Sequence, residues 1–281
     1  MRLTWEELGW ERVAPRVGRR RLPDWDCTVG LVVGEGAALM IDAGSSLAEG
    51  AWLRAEAERL LGPERRVTHL ALTHPHFDHV FGAAAFTDVE VFGAVGLDAV
   101  FAYEREELRA DAVRNGLDPD AAAEAADLLV APRHSVSGEW TLDLGGGLQV
   151  LLANVGPGHT GHDLAVLIPG APGTPGAPGP SSPAEPPGSP APPARPVSRA
   201  SLPSTASLTS TEIVFCGDLV EESGEPQAGP DAVPSHWPAA LDRLVDLGGE
   251  DAVYVPGHGA AVDAAFVRAQ REELATRFGV S

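Results

Sequence analysis

Lysine is absent from this 281-residue chain: all 20 basic residues are arginine, set against 40 acidic ones, for a formal net charge of −20. A nucleic-acid partner normally requires a basic face, so this balance argues against a nuclease or other nucleic-acid-binding role. The one basic cluster, Arg16, Arg19, Arg20 and Arg21, reads as a solvated face rather than a phosphate site. Cysteine is almost as scarce, with only Cys27 and Cys216, and two cysteines so far apart cannot be called a disulfide from sequence alone. No stretch approaches the ~20 apolar residues that span a bilayer. Met1 to Trp10 holds acids and tryptophans but no apolar run of signal-peptide length. The expectation is a cytoplasmic, soluble protein with a small-molecule partner and neither nucleic acid nor membrane. Without internal repeats or a second set of motifs, residues 1–281 read as one domain.

Large apolar side chains nearly vanish between residues 170 and 210, where Pro, Gly, Ala and Ser dominate. Such a segment cannot bury enough surface to offset its ordering entropy, so it reads as a disordered insertion. Leu164 to Ile168 runs out to it and Glu212 to Phe215 runs back. Five strand residues at about 3.3 Å each set it some 15 Å from the far strand ends, as a hairpin-tip linker and not a lid.

Histidine is present in pattern. His74-Pro75-His76-Phe77-Asp78-His79 packs four potential metal ligands into six residues, in a chain with 9 histidines. Val67 to Leu72 is an apolar, β-branched run that reads as a buried strand. Pro75 keeps His74 extended. His74 and His76 then leave the same side of the backbone and can grip one ion together. Asp78 and His79 follow as the chain turns into the apolar helix expected over residues 80–85, so they point to a second, adjacent ion. More ligands follow at three later strand ends. His159 sits in Gly156-Pro157-Gly158-His159-Thr160-Gly161-His162-Asp163, Asp218 closes Ile213-Val214-Phe215-Cys216-Gly217-Asp218, and His258 closes Val253-Tyr254-Val255-Pro256-Gly257-His258. Gly- and Pro-bearing loops allow close approach of backbone to an ion and hold the side chain on a rigid scaffold.

These motifs together resemble those of the metallo-β-lactamase superfamily. The resemblance runs roughly from Thr28 to Phe266 and includes Leu39-Met40-Ile41-Asp42-Ala43-Gly44, similar to the family's early strand ending in Asp-x-Gly. It implies an α/β fold, the four-layer αββα sandwich. By motif position it implies that His74, His76 and His159 hold a first metal and Asp78, His79 and His258 a second. Asp218 would bridge the two, and Asp42 would orient a ligand histidine from behind. Five imidazoles and two carboxylates without a thiolate suit two zinc ions, although iron or manganese tolerates the same set. The implied activity is hydrolysis of an ester, thioester, lactone or related carbonyl substrate by a hydroxide bridging two ions about 3.5–4 Å apart. Asp78 and Asp218 are then the catalytic carboxylates, with Asp78 accepting a hydrogen bond from the nucleophile. Within the family, glutathione thioesterases are disfavoured because little follows His258. True β-lactamases lack the bridging Asp, and flavin-linked diiron reductases have Glu where His76 stands. The alternatives are a mononuclear iron oxidoreductase resembling the persulfide dioxygenases, and a metal-stabilised binding protein without turnover.

The remaining signals are weaker. Helices are expected over Ser46 to Leu61, through Leu97, Val100, Phe101 and Leu108, from Asp118-Pro119 to about Val130, and through Trp237, Leu241, Leu244 and Val245. Cys216, on Asp218's side if the strand alternates regularly, reads as a small buried hydrophobe. His69 reads as a core residue, His134 as a surface-loop residue, His236 as a helix start and Tyr103 as helix packing. His162 is open between supporting the metal or substrate and a plain loop role. Gly34-x-Gly36 reads as a hairpin turn. Substrate-wall residues are expected within residues 93–147.

Overall fold

The computed structural model describes residues 4–170 and 211–280. Its first sheet has seven strands in chain order: β1 (Glu11–Ala14), β2 (Val17–Arg21), β3 (Thr28–Val33), β4 (Ala38–Ile41), β5 (His69–Ala71), β6 (Glu90–Ala94) and β7 (His134–Val136). The second has five: β8 (Glu139–Asp143), β9 (Gln149–Asn154), β10 (Leu164–Ile168), β11 (Ile213–Glu221) and β12 (Val253–His258). Hairpins make β1 to β4 antiparallel, with Gly34-x-Gly36 in the β3–β4 turn. Helical crossovers make β4 to β7 parallel, and likewise β11 and β12. The helices are α1 (Leu47–Leu61), α2 (Phe77–Val80), α3 (Leu97–Tyr103), α4 (Arg105–Arg114), α5 (Pro119–Asp127), α6 (Trp237–Gly248) and α7 (Ala264–Phe278).

Alternation along the strands sorts the side chains into three apolar layers. Val32, Leu39, Ile41 and Phe92 meet Leu152, Val166 and Phe215 between the sheets. Leu31, Met40 and Leu70 point the other way, onto Leu53 and Ala57 of α1. On the opposite outer face Val214, Cys216 and Tyr254 pack on Leu241 and Leu244 of α6 and Val267 and Leu274 of α7. Both faces of each central strand are therefore buried, which is why the strands read as continuous apolar runs. The result is the four-layer αββα sandwich.

Several local expectations need correction. The helix expected over residues 80–85 is broken: α2 ends at Val80 and a separate 3₁₀ turn covers Ala83–Ala85. The His79 carbonyl accepts the Ala43 N–H, so the helical ladder stops there. Gly82 then passes so close to the Asp42–Gly44 turn that a Cβ would lie 2.0 Å from the Ala43 oxygen. The third expected helix stops at Asp127, short of Val130, where Leu128 leaves the helical range at φ −109, ψ 16. Leu97, Val100, Phe101 and Leu108 are all buried, but on two helices parted at Glu104. Tyr103 is 85% exposed and packs nothing, and His134 lies in β7, not in a loop, bonded to Glu90 and stacked on Phe92. Arg19, expected in a solvated face, is buried against Glu11 and the Gly259 carbonyl.

The insertion at 170–210 lies outside the described residues apart from Gly170. Its anchors are placed: Ile168 pairs with Ile213, at the end of β10 and β11 remote from His159 and Asp218. Deleting residues 171–210 leaves residues 169, 170, 211 and 212 to join the two strands, about the length of an ordinary hairpin loop. Such a protein is expected to fold and to take up as much metal as the full chain, checked by circular dichroism and elemental analysis; loss of either would place the segment at the site.

Candidate metal centre

The site is built where strands of both sheets end on the same side of the sandwich. The chain leaving β5 carries Thr73, His74 and His76, and the first turn of α2 carries Asp78 and His79. The loop between β9 and β10 carries His159, β11 carries Asp218, and the last residue of β12 is His258. His74, His76, His159 and Asp218 place one ligand atom each within 4.8 Å of one another, and so do His79, Asp218 and His258. Asp218 belongs to both groups. Asp78 lies beside the second, its Oδ2 3.4 Å from His258 Nε2 and 3.7 Å from His79 Nε2.

The outward hydrogen bonds assign the ring nitrogens. His79 Nδ1 lies 2.9 Å from Asp42 Oδ2, and a carboxylate only accepts, so Nδ1 carries the proton. Nδ1 of His159 and of His258 donate to the carbonyls of Gln227 and Trp25, and His76 Nε2 donates to Asp231 Oδ2 at 3.1 Å. Thr73 Oγ1 gives its proton to Asp42 Oδ2, so it accepts from His74 Nδ1 at 3.0 Å. In the neutral rings every inward nitrogen is then a bare lone pair. His159 Nε2 faces His76 Nδ1 at 3.0 Å, and His79 Nε2 faces Asp218 Oδ1 at 3.1 Å. Acceptors set this close repel unless a cation lies among them. His74 Nε2, His79 Nε2 and Asp218 Oδ1 are buried with no hydrogen-bond partner, so the donors fit a metal and are poorly served without one.

Protons compete for the same lone pairs. Burial drives His74 down to about 3, with His79 adding to the effect, and burial also holds His159 well below its ordinary value. Burial opposes charge at His258 too, but the adjoining Asp218 carboxylate outweighs it and raises the ring to about 9. His79 is raised well above its usual range against burial, by Cys27 first and then by the carboxylates of Asp218, Asp78 and Asp42, and Asp218 is held well below its own, also against burial, by His79, His258 and His74.

Local backbone explains the positions. Asp42 has φ +60, a left-handed conformation that Asp tolerates better than most residues, and turns both oxygens inward to Thr73 and His79. Gly257 makes room for Asp218: a Cβ there would lie 1.8 Å from Oδ1. Asp163 secures the His159 loop by accepting from Thr160 N and Oγ1, and burial raises this carboxyl to about 7.

Among the residues singled out in sequence, His162 does not join the cluster; its Nδ1 donates to the Val95 carbonyl at 2.9 Å. Cys216 faces α6 with the outer core, because a bulge with Gly217 at φ +53 breaks the alternation before Asp218. Both cysteines are free and buried. Sequence reasoning missed Cys27, whose Sγ lies 3.7 Å from His79 Nδ1 and which groups with Asp78 and His79. It also missed Thr73 and Asp231. Thr73 directly precedes the hexapeptide and could have been suspected; Asp231 carries no local signal. A cavity of about 240 Å³ opens over the centre and is lined by His159, Asp218, Glu221, Ser223, Glu225 and His258 among others. Apart from the candidate ligands and Glu221 of β11, its lining (Ser223, Gly224, Glu225 and Gln227) comes from the chain after β11, and none of it from residues 93–147.

The family described as the metallo-beta-lactamase superfamily matches residues 22–173. Solved structures show the same fold. The metallo-beta-lactamase FIM-1 from Pseudomonas aeruginosa, in a mono-zinc form, superposes with a TM-score of 0.60 at 16% identity over 96% of this chain and 95% of that one. A metallo-beta-lactamase from Pontibacter korlensis gives 0.58 at 18% identity over 94% and 97%. One from Erythrobacter litoralis, with beta-mercaptoethanol in its active site, gives 0.60 at 14% over 95% and 96%. No curated protein sequence matches the chain.

Two outcomes are expected. Gly257→Ala drives Asp218 out of place, lowering stability by about 1–3 kcal/mol and weakening metal uptake, both measurable by thermal melts with and without zinc. His258 has a folded pKa above its ordinary value, so its stabilisation of the metal-free protein is complete below that value and lost as pH rises through about 9. A metal displaces that proton, so zinc uptake near neutrality is expected to release protons and to weaken about tenfold per pH unit for each proton displaced as pH falls. Calorimetry in buffers of different ionisation enthalpy reads the count.

Proposed function

The chain belongs to the metallo-beta-lactamase superfamily, and we propose that it is a metal-dependent hydrolase with a two-metal centre. The observation that carries this reading is the convergence of seven side chains whose inward atoms are lone pairs, several of them buried without a partner. His74, His76 and His159 would hold one ion, and Asp78, His79 and His258 the other, with Asp218 shared. Nitrogen and oxygen donors favour zinc, with iron and manganese compatible. Zinc held by these residues would supply a coordinated water of near-neutral pKa and a Lewis acid for a carbonyl oxygen, which suits esters, thioesters and lactones alike.

The chain's own residues supply the rest. Asp78, close to both His79 and His258, can accept a hydrogen bond from an attacking water and so aim its lone pair. Asp218 lies in contact with His74, His79, His159 and His258, and its negative charge keeps both halves of the centre close. Asp42 and Thr73 fix which nitrogen of His79 and His74 turns inward. Glu221 and Glu225 line the cavity, and Arg277 is already engaged with Glu225. Within the described cavity lining there is no arginine to receive an anionic substrate group, so neutral carbonyl substrates suit it best.

Zinc-loaded protein is expected to hold about two equivalents of metal and to hydrolyse members of an ester, thioester and lactone panel. Asp218→Ala should lower kcat/KM more than about 100-fold, beyond the loss seen when only a supporting partner of a ligand is removed. Oxygen consumption with one equivalent of iron, or full activity after chelation, would overturn the reading.

A further inference from the structure

The 15 residues between β11 and α6, numbers 222–236, form a connection without regular structure, a length that in a compact domain usually has a job. This strap crosses the outer side of the first group of ligands. Gln227 offers its carbonyl to His159 Nδ1 at 3.1 Å, and Asp231 offers Oδ2 to His76 Nε2 at 3.1 Å. The strap is fastened at several points. Val233 N–H donates to the Gly158 carbonyl at 2.9 Å, next to His159 itself. Arg277, in the last turn of α7, donates to the Pro226 carbonyl at 2.8 Å and pairs with Glu225 at 3.1 Å. Pro226 is buried, whereas most neighbouring strap residues are exposed, so polar ties rather than a core hold the segment down.

We propose that Asp231 is the positioning residue of the first metal site, acting through His76, with the strap and Arg277 holding it in place. This rests on the two-metal reading above and assigns a residue that the motifs do not mark. The argument is one of symmetry in the supporting bonds. In the second group one imidazole, His79, is backed by a carboxylate, Asp42, and the other, His258, by a carbonyl. In the first group His76 is backed by Asp231 and His159 by a carbonyl. A carboxylate behind an imidazole fixes its tautomer and makes the opposite nitrogen a stronger donor. His76 needs this more than its neighbours. It presents Nδ1 inward while the other four rings present Nε2, and its side chain keeps 22% of its surface exposed where His74 keeps 1%. Packing alone does not hold that ring; the Asp231 bond selects the orientation. The strap therefore ties the His76 and His159 rings to the C-terminal helix.

The test is a metal titration of the full-length, metal-free protein with zinc against a chromophoric chelator, repeated with cobalt(II) and followed by its visible absorption. Asp231→Ala should weaken one equivalent about 10–100-fold and leave the other unchanged, with the cobalt bands of the weakened site altered. Asp231→Asn, which keeps an acceptor oxygen, should recover part of the loss. Arg277→Ala, at a side chain that bonds Pro226 and Glu225 rather than any of the seven candidate ligands, should weaken the same equivalent to a smaller extent. Wild-type affinity at both equivalents in Asp231→Ala would overturn the proposal, as would equal weakening of both in the Asn and Arg277 variants, the mark of a general loosening. If Asp231→Ala does not fold, those two variants decide. Wild-type protein that takes up two ions but hydrolyses nothing would remove the hydrolase reading and leave this inference standing; wild-type protein that takes up no metal would remove both.

Discussion

Five imidazole lone pairs and two carboxylates aimed at one another are the constraint around which this molecule is organised. Such an arrangement is electrostatically costly unless cations occupy it, since acceptors face acceptors at about hydrogen-bond distance in a largely dry setting. Protons relieve part of the cost, and unevenly: burial pushes His74 and His159 below the ordinary imidazole value, while Cys27 and the carboxylates around His79, and Asp218 beside His258, push those two rings above it. A divalent ion relieves it more completely. The site is thus prepared by the fold before any ion enters, because each ring is locked from outside by a bond to Thr73, Asp231, Asp42, Gln227 or Trp25.

The sandwich makes that preparation possible. Three apolar layers hold two sheets face to face, and the ligand-bearing strand ends open on one side of them. Rigid strands set the ligand positions and the loops after them need only turn. Crowding at the joints is paid for in glycine and in strained backbone. Gly257 yields to Asp218, Gly82 to the Asp42 turn, and Asp42 itself sits at positive φ to reach two partners at once. The remote placement of the insertion's anchors follows from the same geometry, since β10 runs away from the centre before the chain departs and β11 runs back to Asp218 after it returns.

Local signals made much of this legible. The helix ends at Ser46 and at Asp118-Pro119, the β3–β4 turn and the buried face of α6 are set by capping, turn chemistry and periodicity within a few residues. The errors fall where a tertiary contact overrode a local pattern. The helix after His79 failed because Ala43 captured the carbonyl it needed, and Cys216 faces the wrong layer for a regular strand because Gly217 bulges. Arg19 lies buried in a run of arginines that composition alone would leave in water. Tyr103 shows the converse, an aromatic residue on a helix that finds nothing to cover it.

What the chain determines by itself is the set of candidate ligands. His, Asp and Gly at fixed short spacings after apolar runs are a local property, and the spacing of side chains along extended backbone already groups His74 with His76. What only the tertiary structure decided is how those ligands are held: which nitrogen of each ring turns inward, that a carboxylate from a featureless loop stands behind His76, that Cys27 lies beside His79, and that the chain after β11 contributes to the cavity wall. The longest of these contacts, His258 with the Trp25 carbonyl, joins segments 233 positions apart. No short-range pattern encodes such a pairing, because its partners meet only when both sheets and the helices behind them have closed.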